Sequence, residues 1–135
     1  TIAISFFDGR SISFDIETKP LEFLVKNADF ITLHTPAQVT PIIDKKEIDL
    51  MKTGVGIINT SKGSNLNEVA LIDAILSEKI KYAALDVFEN EPNPEIPLLM
   101  NPEISLSPHI GAGTIEAKHK AENILINKFI EYICV

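Results

Sequence analysis

Short, mainly apolar runs alternate along this chain with segments whose apolar positions recur at helical spacing, and turn-forming residues separate the two. Residues 2–7, IAISFF, are such a run; closed by Asp8-Gly9, they read as a buried strand that stops at a turn. The alternating residues 12–14 suggest a further short strand. Thr18 followed by Pro20 predicts a helix to about Asn27, because proline is tolerated in a first helical turn. Residues 30–33 return to strand. Residues 44–51 read as a short helix with Ile48 and Met51 facing inward, ended by Gly54. Another apolar strand spans residues 55–58. Asn65-Leu66-Asn67-Glu68 then has the spacing of a capping box and opens a helix to about Glu78, burying Leu71, Ile72, Ile75 and Leu76. Residues 81–85 and 103–106 read as strands. Between them, four prolines from Pro92 to Pro102 predict a stiff, irregular loop. Residues 111–135 read as a long final helix whose stripe includes Ile126, Phe129, Ile130 and Ile133, suited to a core or a dimer interface.

Strands apolar on both faces, alternating with helices, predict a mostly parallel sheet with helices on both faces, an α/β fold of Rossmann type. At 135 residues one domain is expected. A net charge of −7 argues against nucleic acid or an anionic membrane surface as partner, since both demand clustered Lys and Arg. Cys134 is the only cysteine, so no internal disulfide or cysteine-cluster metal site is expected, and a reducing, cytoplasmic setting fits. No run approaches the roughly 20 apolar residues that span a bilayer, and no export signal is seen at the N-terminus. The three histidines lack ligand-like spacing, so no metal site is expected.

Candidate chemistry concentrates in residues 84–113. The strand ending at Leu85 delivers Asp86, and then Glu91, to one edge of the sheet, while the strand ending at Leu106 delivers His109. Carboxyl ends of parallel strands are where open α/β sheets bind ligands. A carboxylate beside a histidine holds its tautomer and favours its protonated form, which would make His109 a proton donor or acceptor. The small polar loop Asn59-Thr60-Ser61-Lys62-Gly63-Ser64, with its one cation, is a second candidate site. Taken singly, each residue has an ordinary reading too: a loop histidine after proline is more often structural, Glu89 and Glu91 suit solvated loop charges, Asp8-Gly9 is a common turn pair, and Lys62 suits a local neutralising charge.

Four segments in this order, NADFITLHTP at 27–36, LMKTGVGIINTSKG at 50–63, ALDVFENEP at 84–92 and SPHIGAGT at 107–114, together resemble the D-2-hydroxyacid dehydrogenases, and within that family its phosphoglycerate dehydrogenase branch. The resemblance implies an NAD-dependent oxidoreductase acting on small D-2-hydroxy or 2-keto acids. It implies His109 as general acid/base, Glu91 as its partner, and Asp86 at the nicotinamide carboxamide. Asp8 would bind the adenosine ribose, Thr60 and Ser61 would line the nicotinamide, and Thr35, Pro36 and Gly111 would flank the cofactor. Where the family has an arginine for the substrate carboxylate, this chain has Lys62, which keeps the charge but lacks the planar fork; altered substrate handling is expected. The family's G-x-G-x-x-G turn, whose amides hold the pyrophosphate, and most of its substrate domain are not found in these residues. The chain therefore reads as a partial dinucleotide-binding domain over residues 1–135, with an incomplete or rearranged sheet. Open sheet edges invite pairing, and a homodimer is expected. The alternative is an inactive remnant or engineered α/β module that acts by self-association.

Overall fold

The computed structural model of the protein describes residues 19–133. Its strands form where β-branched and apolar residues cluster: β1 (Phe30–Leu33), β2 (Val55–Asn59), β3 (Ile80–Leu85) and β4 (Ile104–Leu106). All neighbours pair in parallel, and the strands lie in the sheet in chain order, β1-β2-β3-β4. Parallel neighbours require crossovers, which contain α2 (Lys45–Leu50), α3 (Glu68–Leu76) and α4 (Ile96–Leu99), with α1 (Leu21–Asn27) preceding β1. Helix packs on helix in the same order, α1 on α2, α2 on α3, α3 on α4.

The core lies between that row of helices and one sheet face. Ile31, Leu33, Ile57, Ala83, Leu85 and Ile104 are buried there with Val25, Ile48, Leu71, Ile75 and Leu98, and each fully buried aliphatic side chain contributes roughly 1.5–3 kcal/mol. Residues that alternate with these strand positions face the other way: Phe30 is 52% exposed and Tyr82 49%, while Thr32, Ile58 and Ala84 are half-buried. The Rossmann-type parallel sheet is the expected one, and it is incomplete: among the described residues its helical cover lies over one face.

Local corrections have simple causes. The helix expected to run to Glu78 ends at Leu76, and Leu76 is 72% exposed, because Ser77 and Glu78 close the helix with Glu78 in the left-handed region (φ 58°). Its N-cap is Asn67, whose side chain accepts from the Ala70 N–H, so Asn65-to-Glu68 is not a capping box. That motif is found instead at α2, where Asp44 accepts from Lys45 N–H and Glu47 accepts from Asp44 N–H. The proline-rich loop holds α4, with Pro97 in its first turn, where a missing N–H costs nothing. The final helix, α5 (Ile115–Ile133), buries no residue, so Ile126, Phe129, Ile130 and Ile133 are not core. The strands expected at residues 2–7 and 12–14, with Asp8, lie outside the described residues.

Candidate active site

The carboxyl edge of the sheet is organised by Asp86. The β2–β3 ladder continues one step past the strands, where Asp86 N–H donates to the Asn59 carbonyl at 3.0 Å, so Asp86 leaves the sheet at its edge, only 6% exposed. Its Oδ1 accepts from the Ser107 hydroxyl at 2.6 Å and from Ile110 N–H at 3.0 Å, and its Oδ2 accepts from Gly111 N–H at 2.9 Å. The Ser107 hydroxyl foremost, and then the two amides, hold this carboxyl below the usual aspartate range. One side chain thus ties the end of β3 to the whole turn after β4.

That turn carries His109 with a left-handed backbone (φ 52°), a conformation uncommon for non-glycine residues though less so for histidine. It is held between a bond from His109 N–H to the Ser107 carbonyl and the Ile110 and Gly111 amides anchored on Asp86. The result brings His109 Nδ1 to 2.6 Å from Glu91 Oε2. The bond from His109, and after it Phe88 N–H donating to Oε1 at 3.0 Å, keep the Glu91 carboxyl below the usual glutamate range. An ionised carboxylate only accepts, so Nδ1 carries the hydrogen and Nε2 of the neutral ring is left as the basic nitrogen. The two side chains borne on different strands do meet. Glu89 offers its backbone rather than its carboxylate: its N–H donates to Glu68.

The loop after β2 is shaped by Asn59, which is buried, donates to the Lys62 carbonyl, and accepts from the Ser61 amide and hydroxyl. Thr60 and Lys62 are exposed, and the Lys62 charge is near enough to help hold Glu91 ionised. Gly63 makes this placement possible. A Cβ there would lie 2.0 Å from the Phe88 carbonyl carbon and oxygen and 2.5 Å from Glu89 N, so only glycine lets the two loops press together. Thr60 lines a cleft with Ala84, Leu85, Asp86, Ser105, Leu106 and Ser107. Thr35 is buried, and its hydroxyl and carbonyl accept from Asn65, as does the carbonyl of Pro36. These two therefore meet the loop system through Asn65, while Gly111 meets it through Asp86.

Residues 8–111 match the family model described as D-isomer specific 2-hydroxyacid dehydrogenase, NAD binding domain. The chain belongs to this family. It is 38% identical over 115 residues to a D-3-phosphoglycerate dehydrogenase of Mycobacterium leprae, covering 84% of this chain and 22% of that protein. To a D-3-phosphoglycerate dehydrogenase of Methanocaldococcus jannaschii it is 45% identical over 106 residues, covering 76% and 20%. Among solved structures, a glyoxylate reductase from Paecilomyes thermophila aligns with a TM-score of 0.75 and 38% identity, over 79% of this chain and 33% of that one. The chain thus spans about a fifth of the two phosphoglycerate dehydrogenases and a third of the reductase.

NAD is this family's cofactor, and the described edge fits its nicotinamide end. A carboxylate has about four acceptor sites, and three donors on Asp86 leave one on Oδ2, beside a cleft with hydroxyls from Thr60 and Ser107 and apolar walls from Ala84 and Leu106. Four residues that shape the edge were not singled out for the part they play: Ser107 as a donor to Asp86, Gly63 as the point of close approach, Asn59 as an organising amide, and Glu68 as the acceptor from Glu89 N–H. Ser107 had a local signal, standing two residues before His109 at the end of a strand, and Asn59 and Gly63 lay in the small polar loop already marked as a candidate site.

Proposed function

We propose that this chain is the nucleotide-binding portion of an NAD-dependent oxidoreductase for D-2-hydroxy acids or their 2-keto counterparts. The observation that carries the reading is the 2.6 Å contact between His109 Nδ1 and Glu91 Oε2, beside Asp86 at the carboxyl edge of β3 and β4. NAD, when bound, supplies a hydride acceptor at its nicotinamide ring. Asp86 keeps an oxygen for the carboxamide, and Thr60, Ser61, Thr35, Pro36 and Gly111 flank the cofactor, with Asp8 at the ribose. His109 Nε2 takes the proton of the substrate hydroxyl in oxidation and returns it in reduction. Glu91 holds Nδ1–H and stabilises the imidazolium that forms. The Lys62 ammonium pairs with the substrate carboxylate as a point charge, so selectivity for a planar carboxylate is weaker than with a forked guanidinium.

Isothermal titration with NADH tests the first half: saturable heat is expected, and none at millimolar cofactor removes cofactor binding from this chain. Reduction of hydroxypyruvate or phosphohydroxypyruvate by the protein, abolished in His109→Ala, tests the second. A homodimeric, cytoplasmic setting is part of the proposal. Among the described residues no helix is long and apolar enough to cross a membrane, and no cluster of three or more metal-ligating side chains occurs.

A second reading, an inactive module that self-associates, draws support from the sheet face carrying exposed Phe30 and Tyr82 and from α5, which buries nothing. NADH binding separates the two, since both expect association: a chain that sediments as an oligomer and takes up no NADH favours the module, and one that binds NADH favours the dehydrogenase.

A further inference from the structure

Glu68 sits where an acid has no need of burial. The first turn of a helix welcomes a negative charge in solvent, and Asn67 already caps α3, yet Glu68 is only 1% exposed. Its Oε1 accepts from Glu89 N–H at 2.7 Å, and its Oε2 is buried without any hydrogen-bond partner. Burial pushes this carboxyl above the usual range, and the charges of Glu89, Glu95 and Glu91 push the same way. Such an acid costs stability, so its retention calls for a gain elsewhere.

The gain is in what it holds. The backbone of Phe88 and Glu89 is fixed at three points: Gly63 packs against the peptide that joins them, Glu68 accepts from Glu89 N–H, and Glu91 Oε1 accepts from Phe88 N–H, one peptide earlier. The same Glu91 presents Oε2 to His109. We infer that Glu68 is a positioning residue for the His109–Glu91 pair, acting through the consecutive backbone amides of Glu89 and Phe88 so that Glu91 keeps both of its bonds. Naming the pair an acid/base pair rests on the function proposed above; the placement of Glu91 does not.

The test reads Glu91 itself, by carbon-13 NMR of its side-chain carboxyl during a pH titration of the full chain. In Glu68→Leu the loop loses its anchor, Glu91 loses its two donors, and its midpoint rises toward the ordinary glutamate range. Glu68→Gln keeps an acceptor oxygen, so its Glu91 midpoint stays low. The sign is decisive, because Glu68, held above the usual glutamate range, is already largely protonated where Glu91 titrates, so replacing it removes little charge and a rise reports the lost donors. A folded Glu68→Leu protein whose Glu91 midpoint falls or stays put overturns the inference, as does a Glu68→Gln protein whose midpoint rises as far as that of Glu68→Leu. Where Glu68→Leu does not fold, Glu68→Asp keeps the carboxyl and withdraws the acceptor by one methylene; a rise is again expected, and an unchanged midpoint overturns the inference. Because NADH is absent from this titration, failure to bind cofactor and failure of the positioning role are separately visible.

Discussion

Two buried carboxylates stand at the carboxyl edge of the sheet and behave in opposite ways. Asp86 and Glu68 are both almost fully removed from water, and both accept from backbone amides of the loops at that edge. Asp86 receives three donors and is held below its usual range; Glu68 receives one, leaves an oxygen unpaired, and is pushed above it. Burial alone therefore does not set the charge of an acid. The donors that follow it inside, and the like charges around it, decide whether burial wins. The Asp86 junction resembles a finished anchor, and the Glu68 junction a clamp held at a cost.

The sharpest way to break the contrast is Gly63→Ala, which strikes the Glu68 side and spares the donors of Asp86. A methyl 2.0 Å from the Phe88 backbone forces the loops apart, and overpacking against backbone is expected to cost about 3 kcal/mol in urea unfolding. A loss under about 1 kcal/mol would show that the two loops yield easily. Asp86→Ala strikes the other junction and strands three donors. Since Ile110 and Gly111 are near solvent and can rehydrate, the expected loss is about 2 kcal/mol by the same measurement, with the Glu91 titration moving upward as His109 is released.

pH dependence sharpens the comparison by sign. The stabilisation from Asp86, whose pKa is lowered on folding, is present above the ordinary aspartate value and disappears as pH falls through the folded value. For Glu68, whose pKa is raised, it is present below the ordinary glutamate value and is lost as pH rises through the folded one. Accordingly, Asp86→Asn falls furthest behind the parent near neutrality, whereas Glu68→Gln improves relative to the parent as pH rises from 4 to 8. Thermal unfolding across that range measures both, and parallel curves for parent and Glu68→Gln would contradict the raised pKa. The smallest effect is a control: Glu78→Gly relieves the left-handed residue that closes α3, stabilising by about 0.5–1 kcal/mol. The Glu91 titration should not move, which separates the stability of α3 from the clamp at its start.

Much of this was legible in the chain. Residues 30–33, 55–58, 81–85 and 103–106 are strands within a residue or so of their reading, because an apolar run closed by a turn residue has few other places to go. Asp86, Glu91 and His109 were found for a related reason: a polar residue just past such a run is carried to the sheet edge. The capping box was misplaced because Asn65 and Asn67 offer nearly the same local pattern. What chose between them was a long-range demand, the carbonyls of Thr35 and Pro36 taking the Asn65 amide. The stripe of α5 announced an apolar face without announcing a partner, and among the described residues α5 buries none of its side chains.

The order of apolar and polar residues by itself settled the α/β class, most strand positions, and which side chains reach the working edge, since each follows from local periodicity and backbone preference. Only the tertiary structure decided which donors each acid receives, that Gly63 had to be glycine, and that Glu68 is buried. Those depend on residues some 20 or more positions apart arriving within a few ångströms, and that proximity is a property of the assembled sheet, not of any stretch of the chain.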